Sequence, residues 1–177
     1  MRPSALPFLV LTLATTAAGA QVGAPVPAPE APATAPCGLD PGRQASCTRF
    51  LACIGEDGLW LDGQARGWDE GTLTARTSEG VSCTGEWWMG GPLPGAALSC
   101  DDGTSGRVRY AAQDPATGTG IAAGLTTDGR KIRAWTGENV LEFLREEAGG
   151  PAALLPCTPE GILMSQSSAG SRLAALP

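Results

Sequence analysis

Apolar and polar residues alternate through the middle of the chain with a period of two, which is typical of β-strands with one buried face. The alternation is visible from Thr72 to Thr77, from Ile121 to Thr126 and from Arg130 to Trp135. Each of these segments borders a short run that contains glycine and a charged or small polar residue. The pattern predicts about eight short antiparallel strands between Arg49 and Trp135.

The predicted turns recur at nearly regular intervals. An acidic residue followed by glycine occurs four times, at Asp57-Gly58, Glu79-Gly80, Asp102-Gly103 and Asp128-Gly129. Gly71 and Gly120 each lie nine residues before the glycine of a turn. Gly63 and Gly85 each lie five residues after one. Since an acidic residue before glycine favours a tight hairpin turn, the spacing predicts a repeated β-hairpin unit.

One stretch of these hairpins resembles a known family. The run from Glu79 to Trp87, followed by Gly90 and Gly95, is similar to the membrane occupation and recognition nexus (MORN) repeat. That repeat has an acidic-glycine turn, a strand with an aromatic-x-Gly-Glu-Trp pattern and a return strand marked by glycine. The similarity covers residues 57–110 and implies an array of β-hairpins, although Leu61, Cys83, Gly106 and Ile132 stand where the repeat has its aromatic residue.

A different periodicity follows the last predicted strand. Between Glu138 and Ala148 the apolar residues Val140, Leu141 and Leu144 have helical spacing, and Gly149 follows as a stop signal. Thr136 is the predicted helix cap. The predicted fold is therefore all-β, an antiparallel meander stapled by disulfides, with one short C-terminal helix that closes one end of the sheet.

The ends of the chain divide it into further segments. Residues 1–20 have a positive start, an apolar centre and a small-x-small ending at Ala18 and Ala20, which predicts a cleaved signal peptide. Residues 21–36 form a linker rich in proline and alanine. Residues 37–157 form the single predicted domain, and 158–177 a flexible tail. The apolar run at the start is too short for a transmembrane segment.

Six cysteines, all beyond the predicted cleavage site, indicate disulfides in an oxidising compartment. A hairpin centred on Gly91-Pro92 places Cys83 opposite Cys100, so these two are predicted to be bonded. The sequence does not determine how the other four cysteines pair: Cys37, Cys47, Cys53 and Cys157. The spacing of these cysteines and the absence of histidine argue against a metal site, and no cofactor is indicated.

Charge and composition narrow the function. The chain carries 12 basic and 18 acidic residues, a net charge of −6, which disfavours general binding to nucleic acid. Alanine and glycine are abundant and lysine occurs once, as expected from a GC-rich bacterial genome. Together with the signal, this predicts a periplasmic or secreted protein. Without histidine the common catalytic triads cannot form, and the paired carboxylates all adjoin glycine turns.

Two groups of residues are candidates for binding. Trp87 and Trp88 are adjacent, so a strand would present one to the core and one to solvent, where it suits a protein or a sugar. The alternative is that both pack against the helix or the linker. The second group is a basic patch that consists of Arg107, Arg109, Arg130 and Arg133. The patch would form if the two strands that carry these arginines were neighbours.

These features favour an exported, non-catalytic binding or scaffolding protein of the bacterial envelope, with a protein or an envelope glycan as its partner. One alternative is an inhibitor of an extracytoplasmic enzyme, for which a small rigid β scaffold is suited. Another is a hydrolase that uses turn carboxylates, for which the chain offers three adjacent pairs: Glu56 and Asp57, Asp69 and Glu70, and Asp101 and Asp102.

Overall fold

The computed structural model describes residues 37–158 and 160–164. The predicted signal peptide, the predicted linker and most of the predicted tail lie outside these residues. In the described part, eight longer strands precede one helix and a short hairpin: β1 Cys47–Ile54, β2 Leu59–Trp68, β3 Glu70–Thr77, β4 Ser82–Trp88, β5 Gly95–Cys100, β6 Ser105–Asp114, β7 Thr119–Thr126, β8 Lys131–Gly137, α1 Val140–Ala148, β9 Leu154–Leu155 and β10 Ile162–Leu163.

The eight strands close into a barrel. Each pairs antiparallel with the next in sequence, and β1 also pairs with β8, with Ala52 opposite Ala134. The predicted all-β meander of eight strands is confirmed, and closure removes the exposed edges that an open sheet would present. Alternate turns of a meander share one end, so all four acidic-glycine turns lie together at what we call the turn end. The opposite end, where β1 begins and β8 ends, is called the mouth.

Glycines on the inner surface allow the strands to come close to one another. Gly85 pairs with Leu73 and Leu98, which face the interior, so its missing side chain would have pointed inward. A Cβ atom there would overlap the carbonyl oxygen of Ala97 on the next strand. The same crowding applies to Gly63, Gly71, Gly120 and Gly124. The four spaced glycines outside the turns, Gly63, Gly71, Gly85 and Gly120, therefore mark inward positions of the kind that permit a sheet to curve and close. The resemblance to the MORN repeat stays a prediction.

The barrel interior is an apolar core. Phe50, Leu61 and Leu73 are at most 4% exposed and pack with inward residues of the other strands. Cys83 and Cys100 also point inward, and they form the predicted disulfide in the predicted register. This bond joins β4 to β5 inside the core, where it both fills space and fixes the pairing of two strands.

A second apolar cluster lies outside the barrel. Leu51 and Trp135 are fully buried on the outer face of β1 and β8, beneath Leu144 of α1 and Leu155 of β9. The helix therefore covers the side of the barrel, and the prediction that it closes one end is wrong. Because the eight strands close on themselves, no sheet edge is left to cover, and α1 packs on the apolar outer face of β1 and β8.

Of the two predicted ends of α1, the C-terminal end is confirmed and the N-terminal cap is wrong. Thr136 is not its cap: it is buried in β8, and its hydroxyl donates to the Gly118 carbonyl oxygen at 2.9 Å. Asn139 precedes the helix without a capping side-chain hydrogen bond. Gly149 ends the helix as predicted, in the left-handed conformation, and its backbone N–H is bonded to carbonyl oxygens of the last turn.

Two further disulfides fix the termini of the domain. Cys37 is bonded to Cys47, and Cys53 is bonded to Cys157 across 104 residues of sequence. In the chain-entropy model, closing a loop of about 100 residues contributes about 4.7 kcal/mol. The domain also continues past Cys157, since β10 pairs with β9 and Met164 is buried. In residues 37–158 and 160–164, no helix combines the length and apolar character needed to cross a membrane.

The inward glycines generate a stability prediction. Replacing Gly85 or Gly124 with alanine should lower the free energy of unfolding by at least about 2 kcal/mol, because the new methyl group meets the backbone of the adjacent strand. Gly90 faces open space, so Gly90→Ala is the matched control, with an expected change within about 0.5 kcal/mol. Urea unfolding of the three variants measures the difference, and equal stabilities would contradict the close packing.

Candidate ligand site at the mouth of the barrel

A cavity of ≈150 Å³ opens at the mouth. Inward side chains of five strands line it, and loops at this end form its rim. Its inner wall consists of Thr48, Ala65, Trp87, Tyr110, Gln113 and Thr136. Farther down, between this wall and the turn end, only ≈20 Å³ of space remains among apolar side chains. The barrel is therefore packed at one end and hollow at the other.

The size of the inward residues explains this difference. At the mouth the inward residues that line the cavity include Thr48, Ala65 and Gly67. Toward the turn end they include Phe50 and Ile132 instead. An eight-stranded barrel is just wide enough for side chains to fill or for one small ligand to enter. Because the inward residues at the mouth are small, there is room for one small ligand at that end.

A β-bulge brings two polar side chains into the cavity. Tyr110 pairs with Ala122 and faces inward, but the register shifts before Ala112. Gln113 consequently pairs with inward-facing Gly120, although an unbroken alternation would turn it outward. Bulges commonly redirect a side chain in this way near functional sites.

The polar groups on the wall are neutral. Burial raises the pKa of the Tyr110 phenol above its usual value of 10.0, and hydrogen bonding to Thr136 offsets part of that rise. The Gln113 amide nitrogen donates to the Gly118 carbonyl oxygen at 3.4 Å. Its carbonyl oxygen, Oε1, is buried and accepts no hydrogen bond from the described residues. This oxygen is a buried acceptor left without a donor in that part of the chain, next to the cavity that Gln113 lines.

Two features shape the rim. The loop closed by the Cys37–Cys47 disulfide brings Leu39 over one side, and it is fixed by a hydrogen bond from Gly67 N to Ser46 O at 2.9 Å. The turn between β2 and β3 contributes Asp69, the one charged residue among the described residues that line the cavity. Asp69 has a φ of 64°, in the left-handed region where glycine is less strained.

The two tryptophans predicted for binding lie on opposite faces of β4. Trp87 points inward against the core, lines the cavity and donates from Nε1 to the Arg66 carbonyl oxygen at 3.1 Å. Trp88 points outward, is half-buried and donates from Nε1 to the Leu93 carbonyl oxygen at 3.0 Å. Neither belongs to the apolar cluster beneath α1. Trp87 is thus the predicted residue that the fold brings to the mouth.

The predicted basic residues do not form a single patch. Arg107 and Arg109 are exposed on the outer face of β6. Because β7 lies between β6 and β8, the two strands that would have to be neighbours for the patch to form are not adjacent. Arg130 lies in the turn before β8 and pairs with Asp128 at 2.9 Å. Arg133 pairs with Glu147 of α1 and lies over the Trp135 ring. The intervening strand contributes Leu125, which is 57% exposed.

The carboxylate pairs considered for hydrolysis lie at both ends of the barrel. Glu56 with Asp57 and Asp101 with Asp102 are exposed at the turn end. Asp69 and Glu70 are at the mouth, on the far side of the packed core. In residues 37–158 and 160–164, no group of three or more potential ligands from histidine, cysteine, aspartate and glutamate could hold a metal ion.

Sequence reasoning missed Tyr110, Gln113 and the position of Asp69 at the rim. A signal for the cavity was present, because small residues such as Ala65 and Gly67 cluster at the same end of the inward face. No comparable signal marked Gln113, since its direction depends on the bulge.

Comparisons with known proteins add little to this geometry. No protein-family model matches the chain, and no curated protein matches it. Among solved structures, a redesigned β-barrel, mFAP1, bound to DFHBI is similar at 15% identity and a TM-score of 0.43, covering 54% of this chain and 94% of that one. A de novo designed fluorescence-activating β-barrel is similar at 16% identity and a TM-score of 0.43, covering 56% and 94%. These values support no functional conclusion.

The chain contains a single tyrosine, which allows a clean test of the cavity wall. Absorbance titration of the folded protein should give a pKa above 10.0, because burial penalises the phenolate. The unfolded chain loses this proton first, so stability should decrease as the pH rises past the pKa of the unfolded chain. The urea-unfolded protein is the control. A folded pKa equal to or below the unfolded one would contradict a buried Tyr110.

Proposed function

We propose that this protein is an exported, non-catalytic binding protein of the bacterial envelope that holds a small molecule in the mouth of its barrel. The observation that carries the proposal is the ≈150 Å³ cavity in a barrel that is otherwise packed. A cavity of about this volume accommodates a benzene molecule in another protein. The mouth therefore has room for one ring or one compact branched group.

The chemistry of the wall agrees with a binding role. Ligand sites are typically lined by aromatic and apolar side chains with a few well-placed polar groups. Here Trp87 and Ala65 supply the apolar surface, while Tyr110, Gln113 and Thr136 supply hydrogen-bonding groups. The β-barrel holds these side chains on paired strands, which makes the arrangement rigid before a ligand enters.

Export is the second part of the proposal. Three disulfides join all six cysteines, which indicates an oxidising environment outside the cytoplasm. The signal-like sequence of residues 1–20, with cleavage after Ala20, accounts for how the chain arrives there. The periplasm or the outer medium is the proposed location, and the ligand is taken from that compartment.

The prediction is that filling the mouth abolishes binding. Ala65 faces inward and lines the cavity, so Ala65→Leu places three additional carbon atoms where the ligand would lie. Ala97 is on the outer face of β5, paired with Arg107, and Ala97→Leu adds the same atoms outside the barrel. Screening of small neutral, cationic and anionic compounds by thermal shift should yield compounds that stabilise the wild type and Ala97→Leu.

A ligand present at 100 times its Kd stabilises the folded state by about 2.7 kcal/mol, which is readily seen as a rise in Tm. The same compounds should leave the Tm of Ala65→Leu unchanged, and calorimetry should show at least about a tenfold weaker affinity, since the added atoms overlap the ligand. Equal binding by Ala65→Leu, or a broad screen in which nothing binds the wild type, would refute the proposed function.

A further inference from the structure

We infer that the mouth cavity selects small organic cations, of the quaternary ammonium type, over neutral and anionic molecules of the same shape. This inference rests on the proposed function and specifies the ligand class of that site. Three observations carry it: aromatic rings on the wall, one carboxylate at the rim, and no basic side chain among the described lining residues.

The aromatic rings come from different elements and meet at the mouth. Trp87 of β4 and Tyr110 of β6 are inward residues packed against the barrel core. Trp68, the last residue of β2, lines the rim. The faces of tryptophan and tyrosine rings attract cations, and such cages bind alkylated ammonium groups, whose charge is spread over methyl groups and is weakly hydrated.

Among the described residues that line the cavity, Asp69 is the one that carries a formal charge, and it is exposed at the rim. It occupies a left-handed backbone conformation, and the hydrogen bond from Met89 N to Asp69 O at 2.6 Å fixes this turn to the β4–β5 loop. An aspartate in this conformation is more strained than glycine, and such positions are concentrated at ligand sites. Its carboxylate favours a cation at the rim and disfavours an anion.

The other described side chains on the wall are compatible with this preference. Tyr110 is protonated at physiological pH, because a phenol has a pKa of about 10 and burial raises it further. Among the described lining residues, no lysine or arginine is present to neutralise an anion. The Tyr110 phenol and the Gln113 amide are uncharged groups that can donate or accept, so they suit a ligand with a hydroxyl group without opposing a positive charge.

Choline is the probe that tests this inference, because uncharged and anionic molecules of the same shape exist. Dimethylbutanol replaces the ammonium nitrogen of choline with carbon, and dimethylbutanoate carries a carboxylate beside the same branched group. Calorimetric titration of the mature protein at low ionic strength should show choline binding about tenfold more tightly than dimethylbutanol, because only the cation gains from the ring faces. Dimethylbutanoate should show no binding.

Two variants separate charge from shape. Asp69→Asn removes the carboxylate and retains a residue that tolerates the left-handed conformation, so choline affinity should decrease about fivefold while dimethylbutanol affinity stays the same. Tyr110→Phe retains a ring and should preserve the preference for choline, whereas Tyr110→Leu should reduce it. Circular dichroism and the Tm of each variant establish that the barrel is folded.

The outcomes distinguish this inference from the proposed function. If dimethylbutanol binds as tightly as choline, or if none of the three compounds binds, the preference for cations is refuted. The proposed function is then tested separately, by the broad screen and the Ala65→Leu variant. Binding of choline that is unaffected by Asp69→Asn and by Tyr110→Leu would also refute the inference, because the cation would then be held elsewhere.

Discussion

Close approach of neighbouring strands at inward-facing glycines is the constraint on which the whole structure depends. At Gly85 and Gly124 the backbone of the adjacent strand occupies the space that a side chain would need. Glycines at inward positions permit the curvature that a closed sheet needs. With β8 paired to β1, the meander has no free edges.

The space is distributed unevenly, and this gives the barrel two different ends. Phe50 and Ile132 fill the interior toward the turn end with the Cys83–Cys100 disulfide, whereas the small residues Ala65 and Gly67 line the cavity at the mouth. The outer cluster beneath α1 and the Cys53–Cys157 disulfide stabilise the junction of β1 and β8 from outside.

The sequence predicted the features that depend on local chemistry. Four acidic-glycine turns determined the hairpins, and the register around Gly91-Pro92 placed Cys83 opposite Cys100, as the structure confirms. What it could not predict depends on contacts distant in sequence. Closure brings β1 beside β8, and α1 packs on the apolar outer face that these two strands form. The bulge after Tyr110 turned Gln113 inward, and β7 separated the two arginine-bearing strands. Each of these follows from pairing that no local pattern encodes.

A ligand of this protein should enter the mouth and no other surface. Nuclear magnetic resonance of the mature protein with a bound screening compound locates the ligand through intermolecular contacts between ligand and protein protons. We expect contacts with the rings of Tyr110 and Trp87 and with the Thr136 methyl group, since all three residues line the cavity. Contacts confined to the outer face around Leu125 and Arg107, or to the acidic turns at the other end, would contradict this expectation.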